Sequence, residues 1–227
     1  MNTKELRDNY WNVITECQLF KGIPMDMIDE MIDSLDGHIS EYKRNENIIH
    51  IGDEFRKCGI ILDGSIEISY DTNQFEKRNV NHFSPGQIFG ESLALMGVPY
   101  SPVQVTALTS AAILFIDLRK LVLSTERCSR NCIYNHQLIL NLMGRMAEQN
   151  IFSNLKVRIL GQKVLRDRIM IYLTHMHADN PDGAEIPFTQ TSLAEFLGVN
   201  RSALARELGR MQNEELLKIK KRHYWIL

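Results

Sequence analysis

The sequence predicts an α+β protein whose strands and helices occupy separate stretches of the chain. Short strands and turns fill the region from about residue 39 to 117, and one long helical pattern follows from about 127 to 160. Two short amphipathic helices and a basic hairpin end the chain. Such separation of strands from helices is typical of α+β architectures.

The strand-rich region predicts an antiparallel β jelly-roll barrel. About eight short segments, spaced by turn residues, suit a sheet that packs on or closes around itself. Asp63-Gly64 predicts a tight hairpin between Cys58–Leu62 and the strand that follows, while Ala112–Ile116 predicts a buried strand. The alternating apolar positions that define inward faces are Ile66, Ile68, Tyr70, Val103, Val105 and Ala107.

Helices are predicted on both sides of the barrel. Residues 4–17 and Met25–Leu35 form the first two, and Pro24 suits the first turn of the second. The predicted domain organisation is residues 1–125 for the N-terminal helices and barrel, 126–160 for a central dimerisation helix, and 161–227 for a C-terminal domain. Gly161 is the expected hinge.

The central helix carries a heptad-like seam. A seam of this spacing is typical of two-stranded coiled coils, although the same helix could simply pack on its own domain. Asn150 and Ser153 interrupt the seam, either to fix its register or to face a ligand. The seam positions are Cys132, His136, Ile139, Met143, Met146, Asn150, Ser153, Val157 and Leu160.

Residues 189–208 predict a helix-turn-helix. Thr189 and Asn200 are candidate N-caps of two short helices, and Gly198 can adopt the left-handed conformation that ends the first. Small Ala194 permits a close crossing of the two helices. The apolar faces are Leu193, Phe196 and Leu197 on the first helix and Leu204, Leu208 and Met211 on the second.

The flanking charges favour a winged helix-turn-helix over an ordinary helical hairpin. The second helix carries Arg201, Arg206 and Arg210, and 217–227 predicts a β-hairpin with a basic tip. Residues 155–227 hold 12 basic and 8 acidic residues, a net charge of +4, whereas 1–154 carry −6. An acidic sensor joined to a nucleic-acid-binding domain would produce this asymmetry.

Composition excludes several other classes of protein. The longest apolar run, Ala111–Ile116, is far below the ~20 residues of a membrane span, and the charged first residues argue against a signal peptide. The four cysteines form no Cys-x-x-Cys pair, so reduced thiols and a cytoplasmic location are expected. The absence of a phosphate-binding loop, metal-ligand cluster or nucleophile elbow argues against an enzyme.

The order of these parts resembles the family of the catabolite activator protein and the fumarate and nitrate reduction regulator. The resemblance spans about residues 18–227 and includes the helix-turn-helix. It implies a homodimeric transcription regulator that binds double-stranded DNA, contacts RNA polymerase and senses a small molecule in its barrel. Besides the helix-turn-helix, it is carried by Leu19–Pro24, Gly52-Asp53, Asp63–Ile68, Pro85-Gly86 and Gly90-Glu91.

The resemblance also bears on the effector. Cyclic-nucleotide binders of the family pair a Gly-Glu with an Arg-Ser about ten residues later, the arginine facing the cyclic phosphate. Gly90-Glu91 match, but Ser101 and Pro102 occupy the other two positions. Because no charge opposes the phosphate, we expect that cyclic AMP is not the effector. Asn150 and Ser153 are further effector candidates, and the effector itself stays unidentified.

Redox sensing is the alternative for the barrel. Iron–sulfur members use several N-terminal cysteines, whereas this chain has only Cys17 there, so that type of cluster is not expected. Cys128 and Cys132 could form a thiol switch or metal site, or be incidental. The candidate haem ligands are His38, His50 and His82.

The resemblance assigns the DNA contacts by position. Arg201, Ser202 and Arg206 are expected at base edges, and Ser202 replaces the glutamate that many members carry there. The expected phosphate contacts are Thr189, Thr191, Asn200, Lys220, Lys221 and Arg222. The competing function is a sensor or interaction module whose last domain binds protein instead of DNA.

Overall fold

The computed structural model describes residues 9–71, 77–123, 131–177, 183–186 and 188–227 of the chain. These residues form two compact units, which divide between Arg145 and Met146. The division falls inside the long helix, so the predicted boundaries at 125/126 and 160/161 remain a prediction. Within the described part of the chain, no helix combines the length and apolar character needed to cross a membrane.

The first unit opens with helices and contains eight strands among its described residues. Helices α1 (Trp11–Glu16) and α2 (Met25–Ser34) flank a short 3-10 helix, Gln18–Phe20. The strands are β1 (His38–Tyr42), β2 (Asn47–Ile49), β3 (Cys58–Asp63), β4 (Ile66–Asp71), β5 (Lys77–Phe83), β6 (Ile88–Phe89), β7 (Gln104–Ala107) and β8 (Ala111–Ile116). Helix α3 (Glu91–Met96) joins β6 to β7, and α4 (Arg119–Leu123) follows β8.

The strands form two antiparallel four-stranded sheets, with orders β1-β8-β3-β6 and β2-β7-β4-β5. This confirms the predicted jelly-roll class of fold. All six residues of β8 are buried, and so are Ile66, Val105 and Ala107 at predicted inward positions. The core between the sheets is therefore apolar and continuous with the buried faces of α1 and α2.

The predicted hairpin at Asp63-Gly64 is wrong, although a turn is present there. Strand β3 pairs with β8 and β6, whereas β4 pairs with β5 and β7, so the chain passes from one sheet to the other at this turn. Gly64 has a φ of +78°, and a Cβ there would overlap the carbonyl oxygen of Ser110. The turn signal is local, but the choice of partner strand depends on distant residues.

The long helix α5 runs from Asn131 to Leu160. Residues 127–130 of the predicted helix lie outside the described residues, as does Cys128, and the side chain of Cys132 is not described. Ile139 is half-buried against the barrel core, so it is not free to join a seam. The other predicted seam positions whose side chains are described are exposed: His136, Met143, Met146, Asn150, Ser153, Val157 and Leu160. Within the first unit, Ile133, Leu140 and Met143 form an exposed apolar stripe along one face of α5.

The second unit contains the C-terminal elements. Helix α6 (Leu165–His177) precedes β9 (Ala184–Glu185), α7 (Gln190–Phe196) and α8 (Arg201–Asn213), and the chain ends with β10 (Leu217–Lys220) and β11 (His223–Ile226). The predicted hairpin is present and gains a third strand, because β9 pairs with β11. Their apolar faces form a second core, separate from that of the barrel.

The turn at Gly64 allows a stability test. We expect Gly64→Ala to lower the free energy of unfolding by about 2–4 kcal/mol, since it adds left-handed strain of about 1 kcal/mol to steric overlap. Gly52→Ala is the matched control, because Gly52 has a φ of +90° but nothing lies within 4 Å of an added Cβ. Urea unfolding measures both, and equal losses would contradict the steric explanation.

Candidate nucleic-acid interface

Two N-caps fix the helix-turn-helix at the positions that the sequence predicts. The Thr189 hydroxyl accepts from the backbone N–H of Ser192 at 3.1 Å, and the Asn200 side chain accepts from that of Ala203 at 2.7 Å. Gly198, between the two helices, has a φ of +69°. Each cap satisfies an N–H at the start of a helix and sets where that helix begins.

The buried faces of α7 and α8 determine which side of each helix is exposed. Leu204, Leu208 and Met211 of α8 are at most 2% exposed, and the apolar residues of α7, with Ala194 at 1%, are buried as well. Burial of one face turns the opposite face of α8 outward. Ser202 and Arg206 lie on that face, Arg201 is the first residue of α8, and the side chains of all three are exposed, as predicted for contacts with base edges.

Arg206 is available for binding. Its Nε donates to the carbonyl oxygen of Ser202 at 3.3 Å, a weak contact within the same helix. Guanidinium groups held in this way can form two hydrogen bonds with the O6 and N7 atoms of guanine. The exposed polar surface of α8 therefore has the chemistry to distinguish bases in a major groove.

The wing presents the predicted basic tip. Lys220 pairs with His223 across the hairpin, which leaves Lys221 and Arg222 as a two-residue loop, and Lys221 has a φ of +57°. The side chains of all three basic residues are exposed. Thr189, Thr191 and Asn200 are exposed too, so every predicted phosphate contact can be reached from solvent.

Sequence reasoning missed two arginines that support the interface. Arg168 of α6 donates to the carbonyl oxygens of Gln162 and Leu197, both at 2.9 Å, and so holds the end of α7. Arg166 bonds to Glu207 and Glu214. Positive charges near a helix N-terminus interact unfavourably with the helix dipole. Two arginines at such a place in the sequence therefore indicate that they have partners elsewhere in the chain.

Glu91 and Ser101, two of the predicted effector residues of the barrel, are buried. Glu91, at the start of α3, is 4% exposed and pairs with Arg145 of α5, the Nε to Oε1 distance being 3.3 Å. Arg145 also donates to the carbonyl oxygen of Ile88 at 2.7 Å. Gly90 has a φ of +76° and lies against the ring of Phe55, where a Cβ would overlap. The structure therefore places an internal cation beside the carboxylate of Glu91, whose effector role remains a prediction.

Ser101 also has internal partners. It is 3% exposed, its hydroxyl donates to the carbonyl oxygen of Val103 at 2.7 Å, and its N–H donates to that of Asp53 at 2.8 Å. Asn150 and Ser153 lie in the second unit and are exposed, with Asn150 accepting from the side chain of Asn154 at 2.8 Å. Their proposed effector role remains a prediction.

A cavity of about 440 Å³ lies next to Arg145. Arg145 lines it, together with residues of α1 and of the turn before β6, whereas Glu91 and Ser101 do not. The lining residues are Val13, Glu16, Gln18, Pro85, Gly86, Gln87, Ile88 and Arg145.

The candidate redox groups are dispersed. The thiols of Cys17 and Cys58 are buried, and burial raises the pKa of each, so both are held as neutral thiols. His38 stacks on Phe115, and His82 lies 3.5 Å from Glu67 in the other sheet. His50 lies at the end of β2. Over the residues that the structure describes, no three metal-ligating side chains converge on one point.

Comparison with known proteins identifies two domains in the chain, one in the β-rich part and one at the C-terminal end. Residues 39–122 match the family model of the cyclic nucleotide-binding domain, and residues 167–227 match the Crp-like helix-turn-helix domain. Together the two matches cover more than half of the chain, in the order that the fold displays. No curated protein sequence matches the chain.

Solved structures share the fold at low sequence identity. The c-di-GMP-responsive global regulator CLP of Xanthomonas campestris is 16% identical with a TM-score of 0.54, over 89% of this chain and 99% of that one. The catabolite activator protein of Thermus thermophilus is 16% identical with a TM-score of 0.50, over 92% and 93%. DNR of Pseudomonas aeruginosa is 15% identical with a TM-score of 0.50, over 96% and 93%.

The two domain matches, their order and the exposed arginines of α8 point to the same conclusion. The chain belongs to the family of the catabolite activator protein and the fumarate and nitrate reduction regulator, and it is a transcription regulator with a helix-turn-helix DNA-binding domain.

Proposed function

We propose that the chain is a homodimeric, sequence-specific regulator that reads DNA with Arg201, Ser202 and Arg206 and responds to an effector other than cyclic AMP. The exposed polar surface of α8 carries this proposal. The apolar side chains of the helix are buried, whereas Arg201, Ser202 and Arg206 are exposed to solvent and can reach a ligand. We expect the protein to act in the cytoplasm, with double-stranded DNA as its first partner and RNA polymerase as its second. The chain is proposed to have no enzymatic activity.

Base discrimination is assigned to Arg201 and Arg206 of α8. Arginine binds guanine with two hydrogen bonds, and a good bidentate contact contributes about 1–3 kcal/mol of discrimination. Ser202 has one hydroxyl that can donate or accept, so it selects less strictly than a carboxylate would. The half-site should therefore differ from that of members with glutamate at this position.

Backbone contacts are assigned to the caps and the wing. Thr189, Thr191 and Asn200 lie at helix N-termini, where N–H groups and the helix dipole favour phosphate. Lys220, Lys221 and Arg222 add positive charge at the wing tip, which raises affinity for any sequence and makes it depend on salt.

Dimerisation is assigned to the exposed stripe of α5. Ile133 is 74% exposed, Leu140 62% and Met143 61%, and apolar side chains repeated along one helix face are typical of a face that pairs with another helix. Two copies joined along α5 would present two α8 helices, as required for two half-sites about 34 Å apart. A protein-binding role for the last domain does not account for the basic wing.

The stripe gives a test of the dimer. We expect Leu140→Glu to convert the protein to a folded monomer, because a charge replaces an apolar contact between copies while the exposed position leaves the barrel core intact. Gln149→Glu, an exposed change away from the stripe, is the control. Sedimentation measures both, and a Leu140→Glu protein that stays dimeric would refute the assignment.

The role of Arg206 gives a test of the proposed function. We expect Arg206→Ala to weaken binding to a duplex that the wild type selects from random DNA by about 1–3 kcal/mol, with the dimer unchanged. Discrimination against a substituted guanine should fall as well. Arg210→Ala, the same change one turn further along α8, controls for loss of charge. Gel-shift titration showing unchanged affinity of the Arg206→Ala protein would refute the role.

The barrel gives a test of effector choice. We expect calorimetric titration with cyclic AMP to show no saturable binding in the micromolar range, because Ser101 is occupied internally and Pro102 has no N–H to offer a phosphate. A cyclic-AMP-binding member of the family is the positive control. Micromolar binding to this chain would overturn the exclusion.

A further inference from the structure

One arginine of the second unit is bonded to two carboxylates of the DNA-binding region. Arg166 donates from Nε to Glu207 at 2.8 Å, and from its two terminal nitrogens to the two oxygens of Glu214 at 2.6 and 3.0 Å. These bonds raise the pKa of Arg166, the contact with Glu214 contributing most, and Arg166 lowers the pKa of Glu214. Arg166 and Glu214 therefore stay charged near neutral pH.

The partners occupy places that local helix electrostatics disfavours. Arg166 is the second residue of α6, where the positive end of the dipole disfavours a cation, and Glu214 is the C-cap of α8, where the negative end disfavours an anion. Arg168 in the same turn is accounted for by its two carbonyl partners. The unfavourable position of Arg166 near the helix N-terminus is offset in the same way by its bonds to the two carboxylates.

Glu207 lies within the helix that carries the proposed base contacts. It directly follows Arg206, and its second oxygen is 3.6 Å from Arg210. Its side chain is 15% exposed and turned toward α6, whereas Arg206 is exposed. A carboxylate that Arg166 no longer neutralises would add negative charge to α8 beside the proposed base contacts, and like charges close together lower association with DNA phosphates.

We propose that Arg166 is a positioning residue of the DNA interface, which holds Glu207 and Glu214 away from the DNA phosphates and neutralises them. This inference rests on the proposed DNA-binding function. It assigns to a residue outside the helix-turn-helix the control of charge on α8. Arg166 itself touches no base, and it acts through the two glutamates.

The test uses the full chain and the duplex selected from random DNA. We expect Arg166→Gln to weaken binding at least about threefold at low salt, as expected for an interfacial charge. Adding Glu207→Gln and Glu214→Gln to this variant should restore the affinity, because it removes the charges that Arg166 neutralises. Arg119→Gln is the matched control: Arg119 forms a similar two-bond pair with Asp117 in the first unit.

The outcomes are distinct. Unchanged binding by Arg166→Gln overturns the inference, and so does weakened binding that the two glutamine substitutions fail to restore, since that pattern marks a merely structural pair. Restored binding while the midpoint of thermal unfolding stays at the level of Arg166→Gln supports it most directly. If the wild type itself selects no duplex, the proposed function fails, and the inference fails with it.

Discussion

The burial of one apolar face of α8 is the constraint on which the DNA-binding surface depends. Leu204, Leu208 and Met211 pack in the core formed with α6 and α7. Burial of each such apolar side chain stabilises the fold by about 1.5–3 kcal/mol. The helix cannot rotate without exposing them. The outward direction of Arg206 is therefore determined by buried residues on the other side of the same helix.

Charged groups fix the positions of the helix ends around this apolar core. Arg168 fixes the end of α7 through backbone carbonyls, and Arg166 joins the start of α6 to the end of α8. Both arginines use several donors at once, so each holds a geometry and not merely a distance. Around one hydrophobic core, the polar contacts thus determine which charges reach the surface.

Most elements could be predicted from the sequence because their signals are local. Thr189, Gly198 and Asn200 mark helix ends by their own chemistry, and the alternation at Val105 and Ala107 requires only a strand with one buried face. Pairing is different, since Asp63-Gly64 indicates a turn but not the sheet that the next strand joins. Ile139 of the predicted seam is half-buried instead, because the periodicity cannot show that the barrel core already covers that side chain.

Ion pairs were the least predictable part of the site, and the Glu91–Arg145 pair shows why they matter. These residues are 54 positions apart, and no motif joins them. Removing one member of a buried pair leaves the other charge unpaired and costs about 3–5 kcal/mol.

A ligand that engages Glu91 must therefore supply donors strong enough to replace a guanidinium, or leave the pair intact. A ribose hydroxyl, being neutral, is a weaker replacement, and Ser101 adds no countercharge for a phosphate. The countercharge of Glu91 is thus a cation that the protein itself supplies from the long helix, at the last residue of the first unit.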